Sequence, residues 1–534
     1  MSQKQRNKIG RNETCPCNSG IKYKHCHGHL NENASQQPSD FISKEISTLK
    51  ALDVQRKLQQ GLGNPIVSTE HNSLKVVAVG NEIYKGKWIT FHDFLVDYIK
   101  LSIGSAWGNE ELKKPYENRH PLIKIYNKIC DYQKSFVKTS GQVHSAPFTG
   151  AVSAYMWLAY NLYIIAHNAE LHQRLIKRLR HPEQFPGAYY ETYIAAIFIK
   201  AGFLLEFENE EDKTTSHCEF IATHKETGNK YSVEAKYRHR KNFISSQGSE
   251  NFKINIDHLL HQALEKETPH ERIIFIDINI PTSEMEKHTP SYLSKRLKKC
   301  ENDPINGNPA PPAYVFLTNL PYHYDLEETV YKAIYFAEGF KIPDFGNKKA
   351  TLQEAIQARK KHRPIHDLFN SIKTHTIIPT TFDGSFPEFT FRKSTQRLII
   401  GDKYIVNDPE GNEQLIELLQ ATVDEPNKKA WTLCRNTNGQ TQLIQIPLTD
   451  DEVNAYKQSP DTFFGIYHEQ GKKISDPIEM FDFFMKGHQL LTKEDILIRL
   501  KNYPNHDELL MKTRDELLEI YCVGITCSIY NKAN

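Results

Sequence analysis

From about residue 45 to residue 180, apolar positions recur at helical spacing, as at Phe94, Tyr98 and Leu101 and again at Leu171, Leu175 and Leu179. A mainly helical region is predicted there. Its most apolar run, Ala151–Ala166, contains Ser153 and Asn161 and is shorter than the roughly 18 residues of a membrane span, so it reads as a buried helix. From about 182 to 285 the period changes to helix, strand, hairpin, helix, strand. Tyr189–Lys200 is the first helix, stopped by Gly202. In Lys230–Arg238, Tyr231, Val233, Ala235 and Tyr237 alternate with Ser232, Glu234, Lys236 and Arg238, the period of a strand with one apolar and one charged face. Glu219–Ala222 opens its partner, and Glu226–Asn229 has the composition of a tight turn. His258–Lys266 is helical, and Arg272–Ile280 is a β-branched run ended by Pro281, as in a strand covered on both faces. A further α/β stretch contains the strand Tyr314–Leu317. From Phe391 onward, short strands at Leu398–Ile400, Tyr404–Val406 and Gln442–Ile446 are joined by the turns Asp408–Gly411 and Asn436–Gly439, and helices close the chain. The aromatic run Phe463–Tyr467 reads as core, not as a base-stacking platform.

At 534 residues the chain has room for about three or four folded units. Lys and Arg (67) nearly balance Asp and Glu (65), for a net charge of +2, so no global field draws it to a polyanion. Local basic runs occur at His172–His181, Lys236–Lys241, Lys295–Lys299 and Arg359–Arg363, where the first two are candidates for holding a phosphate backbone. The nine cysteines are three within residues 15–26 and six scattered, a metal cluster plus buried thiols, which fits a reducing cytoplasm. The polar N-terminus carries no apolar signal segment, and no membrane association is expected. G-x-x-x-x-G-K-[ST], H-E-x-x-H, G-x-S-x-G and G-x-G-x-x-G are all absent, which argues against a P-loop ATPase, a zincin protease, an α/β-hydrolase and a dinucleotide enzyme.

Residues 9–29 read IGRNETCPCNSGIKYKHCHGH, placing Cys15, Cys17, Cys26 and His27 in a C-x-C-x8-C-H pattern. Three thiolates and an imidazole suit tetrahedral zinc, and so short and polar a segment needs a metal to fold. His25 and His29 compete for the fourth position. The segment resembles the SEC-C motif, the zinc module at the C-terminus of the bacterial preprotein translocase ATPase. That resemblance implies Zn2+ on Cys15, Cys17, Cys26 and His27 and the recruitment of a protein partner.

The second constellation lies in the predicted hairpin. A turn centred between Thr227 and Gly228 sets pairs whose numbers sum to 455, placing Glu219 opposite Lys236 and diagonal to Glu234. Two carboxylates and an ammonium then converge, a hard oxygen site for Mg2+ or Mn2+ suited to phosphodiester hydrolysis. E-x-K alone is unspecific, since it recurs at Glu111–Lys113 and Glu211–Lys213; its value lies in the surrounding elements. Glu191 shares a helix face with Ala195 and Phe198, an odd place for a carboxylate unless it serves the site.

The element order over about 185–282 resembles the PD-(D/E)xK nuclease superfamily. The resemblance implies a restriction-endonuclease-like core with Glu219 as the first acid, Glu234 and Lys236 as E-x-K, Glu191 as an accessory helix carboxylate and Gln262 as a helix contact near the site. The first acid is usually Asp, and here it is Glu. The fold expected is therefore a multidomain α/β chain: zinc module 1–30, linker 31–44, helical domain 45–180, nuclease-like core with a mixed sheet 181–285, α/β extension 286–390 and C-terminal α+β domain 391–534. The function expected is a cytoplasmic metal-dependent nuclease, with DNA favoured over RNA and defence against foreign DNA as its setting. A homodimer is one assembly compatible with it. The alternatives are a zinc-tethered adaptor with a degenerate nuclease-like domain and an RNA-processing nuclease.

Overall fold

The computed structural model describes residues 38–534 apart from 138, 140, 171–172, 208–217, 239–254, 321–323, 328–334, 347–350, 392–395, 408–411, 469–473, 475, 505 and 534. The zinc-module residues Cys15, Cys17, Cys26 and His27 lie outside the described residues. The described residues divide into two compact units, one within 38–56 and 385–470, the other within 57–384 and 471–534.

Helix α1 (Pro38–Gln60) is followed by a three-stranded antiparallel meander, β1 (Val67–His71), β2 (Leu74–Val79) and β3 (Glu82–Gly86). The helical expectation for 45–180 missed this sheet, whose strands are short and exposed on much of their surface. Helices α2 (Phe91–Ile103), α3 (Ser105–Lys113), α4 (Pro121–Phe136) and α5 (Gly150–Asn168) come next. Thr90 starts α2 with a reciprocal capping box to Asp93, which satisfies donors at the helix entry. The run expected as a buried helix is α5, and no helix among the described residues is long and apolar enough to cross a membrane.

The following segment contains α6 (Gln173–Leu179), α7 (Phe185–Lys200), β4 (Phe203–Phe207), β5 (Phe220–His224), β6 (Lys230–Tyr237), α8 (Ile256–Leu264) and β7 (Glu271–Asp277). It continues through α9 (Pro290–Cys300), a small hairpin β8 (Pro304–Ile305) and β9 (Asn308–Pro309), β10 (Ala313–Thr318) and β11 (Tyr335–Phe340). Six of these strands form a mixed sheet in the order β11-β10-β7-β6-β5-β4, with β6, β7 and β10 parallel and the other neighbours antiparallel. Helices α10 (Leu352–Lys361) and α11 (Arg363–Thr374) follow.

Period-two alternation divides the sheet's burial between two cores. Tyr231, Val233, Ile273, Phe275, Tyr314 and Phe316 join the larger cluster with α2, α5, α7 and α11. Ile274, Ile276, Val315 and Leu317 point the other way and are covered by α8 and α9. Helix α7 is apolar nearly all round because the sheet lies on one side of it and α5 on the other. Phe198 seats α7 on the sheet, its ring 5.0 Å from Phe203, 5.5 Å from Phe220 and 5.9 Å from Phe275. Gly202, at φ +87°, lets the chain leave α7 and enter β4 without the clash a side chain would meet there. A buried polar node also ties α7 down: the Tyr190 hydroxyl lies 2.8 Å from Thr318 Oγ1, which donates to Asp277 Oδ1 at 3.2 Å.

Residues 57–384, most of the expected domains 45–180, 181–285 and 286–390, share cores within one compact unit. The C-terminal 391–534 is divided instead. Residues 385–470 carry α12 (Pro387–Phe391), the antiparallel sheet β12 (Lys403–Asn407), β13 (Glu413–Asp424), β14 (Lys429–Asn436) and β15 (Thr441–Pro447), and α13 (Asp450–Gln458). Phe463 and Phe464 are core here, packed with Phe386 and Tyr456. Leu398–Ile400 is not a strand: Ile400 N donates to Phe464 O and not to a ladder partner, while Leu398 packs on the sheet. Helices α14 (Pro477–Gly487), α15 (Lys493–Arg499), α16 (His506–Leu510) and α17 (Arg514–Ala533) have their own core with Ile356 of α10.

Phe198→Ala should cost about 3–5 kcal/mol, because a fully buried ring touching three strands leaves a cavity that the sheet cannot close. Urea denaturation is expected to show a lower midpoint with an unchanged slope; an unchanged midpoint would contradict this packing role.

Candidate functional site: a carboxylate and cation cluster on the mixed sheet

The β5–β6 hairpin builds the site. Its loop closes through His224 N donating to Asn229 O and Gly228 N to His224 O, with Gly228 at φ +72°. The ladder pairs Phe220 with Val233 and Thr223 with Lys230, so partner numbers sum to 453. The expected sum of 455 is corrected: the turn is centred one residue earlier, and each pair slips by two. Glu219 precedes the paired residues, where its carboxylate lies within electrostatic reach of Glu234. Because the slip is even, the facing of every paired side chain survives it. Glu219 N donates to Val233 O at 3.0 Å, anchoring the residue as the strand begins.

Glu234 and Lys236 occupy the face of β6 that carries Ile274 and Ile276 on β7, the face covered by α8 and α9. Glu234 is 4% exposed, yet two ammonium groups meet on it. Lys236 Nζ lies 2.6 Å from Glu234 Oε1, and Lys266 Nζ lies 2.8 Å from each Glu234 oxygen. Only the Oε2 contact has hydrogen-bond geometry, which leaves Oε1 a buried acceptor without a hydrogen bond. From α7, buried Glu191 accepts from Arg178 Nη1 at 2.5 Å, and the same nitrogen lies 4.0 Å from Glu219 Oε2.

The electrostatics follow from crowding. Burial pushes the Glu219 carboxyl up to about 8, the negative charges of Glu191 and Glu234 push the same way, and Arg178 and Lys266 pull against them. For Lys266, burial pulls downward, but the charge and hydrogen bond of Glu234 outweigh it and hold the ammonium above its ordinary range.

Of the expected residues, Glu234 and Lys236 pair directly, Glu219 lies within reach of the charges of both Glu191 and Glu234, and Gln262 stands apart. Its side chain is exposed on α8 and bonds His258, one turn back on the same helix. Lys266, in the turn after α8, reaches the site instead. Lys266 and Arg178 are the two residues that sequence reasoning missed. Arg178 stood in a basic run read as phosphate-facing, but Leu175, Ile176 and Leu179 are buried beside it, and it sits at the margin of that buried face.

The other basic runs are largely engaged with the protein's own carboxylates. Arg359 pairs with Asp482 and Lys361 with Asp344, both at 2.7 Å, while Lys360 pairs with Glu519 and Arg363 with Glu226. Arg296 makes a bidentate pair with Asp257, 2.9 Å at each nitrogen. In the run beginning at Lys236, Arg238 donates to Asn279 O, and residues 239–241 lie outside the described residues.

Among the described residues, no group of three or more His, Cys, Asp and Glu side chains is arranged to hold a metal. Glu219 and Glu234 are oxygen donors of the kind a hard cation takes, and Mg2+ typically needs only one or two carboxylates beside water and phosphate oxygens, but both oxygens of Glu234 lie 2.6–2.8 Å from ammonium groups here.

Comparison with known proteins bears on the other end of the chain. Residues 11–28 match the SEC-C motif, a zinc-binding motif. The chain is similar to the protein translocase subunit SecA of Ectopseudomonas mendocina (strain ymp), 76% identical over 25 residues, 5% of this chain and 3% of that one. It is also similar to SecA of Nitrosococcus oceani, 79% identical over 24 residues (4% and 3%), and to SecA 1 of Rhodopseudomonas palustris (strain BisA53), 86% identical over 21 residues (4% and 2%). The chain therefore spans only a few per cent of these relatives' length, and the matches are confined to the SEC-C motif. No solved structure matches the chain.

Ionisation of Glu219 sets a pH dependence. Its folded-state value stands above the unfolded one of about 4.3, so its contribution to stability is complete below about pH 4 and is lost as pH rises through about 8. Glu219→Gln should therefore gain on the native protein in thermal unfolding as pH rises, levelling off above about pH 8. Parallel melting curves across that interval would contradict it.

Proposed function

We propose that the chain is a metal-dependent nuclease that hydrolyses phosphodiester bonds, with DNA as the favoured substrate. The observation that carries this reading is a cluster of charge: Glu234 and Glu191 act on Glu219, and Lys236 Nζ lies 2.6 Å from Glu234 Oε1. It is supported by the order α7, β4, β5, β6, α8, β7, in which an antiparallel meander is followed by a helix and a strand parallel to β6. That order resembles the PD-(D/E)xK core.

Glu219 and Glu234 would hold Mg2+ or Mn2+, which neutralises phosphate charge and acidifies a water molecule. Lys236 orients that water, and its ammonium faces the phosphate oxygens. Arg178 holds Glu191 and draws Glu219 toward the same centre. In hydrolysis the water oxygen bonds to phosphorus as the bond from phosphorus to one ester oxygen breaks. The electron pair leaves with that oxygen, which takes up a proton while the water gives one to solvent, leaving a phosphate monoester and a hydroxyl.

Purified protein should cleave plasmid or single-stranded DNA with Mg2+ or Mn2+ and lose the activity in EDTA. Lys236→Ala and Glu234→Ala should each lose at least about 100-fold in rate with folding intact. Full cleavage by both variants would refute the site, and RNA presented beside DNA decides the substrate.

A second reading is favoured by one observation: both oxygens of Glu234 already face ammonium groups, as they would in a degenerate centre that binds without cutting. In that case the chain is an adaptor, and metal leaves DNA intact.

The SEC-C segment supports a further role in docking, with zinc held by Cys15, Cys17, Cys26 and His27 and a protein as partner. Cys15→Ser combined with Cys17→Ser should lose about one equivalent of zinc while the body stays folded. Unchanged zinc content would refute the ligand set.

A further inference from the structure

Independently of the nuclease reading, we infer that α1 pairs with α1 of a second copy of this chain as a short parallel coiled coil. The helix has its polarity inverted. Its face towards residues 385–470 is polar: Lys44 Nζ donates to Gly401 O at 2.9 Å and pairs with Asp402 Oδ1 at 3.0 Å, and Tyr467 N donates to Ser47 O at 3.2 Å. On the same face Gln55 Oε1 accepts from Thr462 Oγ1 at 3.3 Å, and Ala51 is the buried apolar residue. The large aliphatic side chains point the other way. Ile42 is 54% exposed, Ile46 60%, Leu49 62% and Leu52 45%. A helix that packs by its polar side and shows water its aliphatic side leaves that stripe for a partner.

The spacing names the partner. Ile42, Ile46 and Leu49 follow one another by four and three residues, the d, a and d positions of a heptad, and such a seam meets a helix of the same period. Ile46 at a with Leu49 at d is the combination that favours two strands. Charge sets the direction. Glu45 falls at g on one flank of the stripe and Lys50 at e on the other. In a parallel pair, Glu45 of each copy lies across from Lys50 of the other, and two ion pairs flank the seam. An antiparallel pair would set Glu45 against Glu45 and Lys50 against Lys50. Lys50 is held on its flank by the Tyr467 ring, 4.0 Å from the ammonium, and stays exposed.

The next a position is Asp53, which Arg56 neutralises at 2.9 Å, so the apolar seam ends there. Its three helical turns span about 16 Å. That is fewer residues than the roughly 20–30 a side of a standard interface, so the dimer is weak and its population depends on protein concentration. Both helices start at the same end of such a pair. The two SEC-C motifs, which precede α1 in the sequence, are therefore joined to that one end.

The test is sedimentation equilibrium of the full-length, zinc-loaded chain over about a hundredfold range of concentration. The mass should rise from 61.8 kDa towards twice that value. Ile46→Asp, at an exposed position, should hold it at the monomer value with thermal unfolding unchanged. Direction is read from Ile42→Cys, whose oxidation should join two copies through position 42, since facing d residues pack together in a parallel pair. Antiparallel helices would hold those positions about 16 Å apart, beyond the roughly 7 Å limit for a disulfide. A native chain that keeps the monomer mass throughout, a dimer that survives Ile46→Asp, or an Ile42→Cys chain that forms no such link would each overturn the inference. The nuclease reading stands or falls separately, on cleavage.

Discussion

The pairing register of β5 on β6 is the constraint on which the rest of the site depends. It brings Glu219, just ahead of β5, within electrostatic reach of Glu234, at a place where most of the water is excluded. Neighbouring carboxylates in such a place repel, and neither is well solvated. Every other charge at the site answers that problem: Lys236 and Lys266 flank Glu234, Arg178 bridges towards Glu191 and Glu219, and Glu219 holds its proton to about pH 8.

The scaffold makes the arrangement durable. Helix α7 brings Glu191 to the sheet because Phe198 packs on three strands and the Tyr190 hydroxyl meets Thr318 on β10. Lys266 enters because α8 covers the same sheet face that carries Glu234. The site is therefore assembled from four separate elements, and each is positioned by apolar packing that has no chemical role of its own. A cluster of like charges is costly to bury, and the surrounding aromatic and aliphatic core supplies the stability that offsets it.

The fold and site were legible to different depths. The period-two pattern of Lys230–Tyr237 named the charged face of β6 correctly, and the β-branched run in 272–280 announced β7 as a strand covered on both sides. The hairpin turn was placed one residue late, because Glu226-Thr227-Gly228-Asn229 offers two turn centres of similar chemistry and only the closing pair His224–Asn229 distinguishes them. The meander β1–β3 escaped notice because its strands are short and half exposed, so their apolar content is too low to stand out among helices. Gln262 was assigned to the site from the helix that carries it, but the exposed side of α8 takes it away from the sheet.

By itself, the sequence determined which residues share a sheet face, where α7 ends, and that the N-terminal cysteines are spaced as a metal module. These properties follow from backbone periodicity and short-range spacing, which act within a few residues. Only the tertiary structure decided which cations answer the carboxylates. Arg178 and Lys266 lie 41 residues before and 47 residues after Glu219, a separation that no local pattern spans. Their convergence depends on how α6 and α8 pack on the sheet, and it turns a basic run and the turn after a helix into parts of one site.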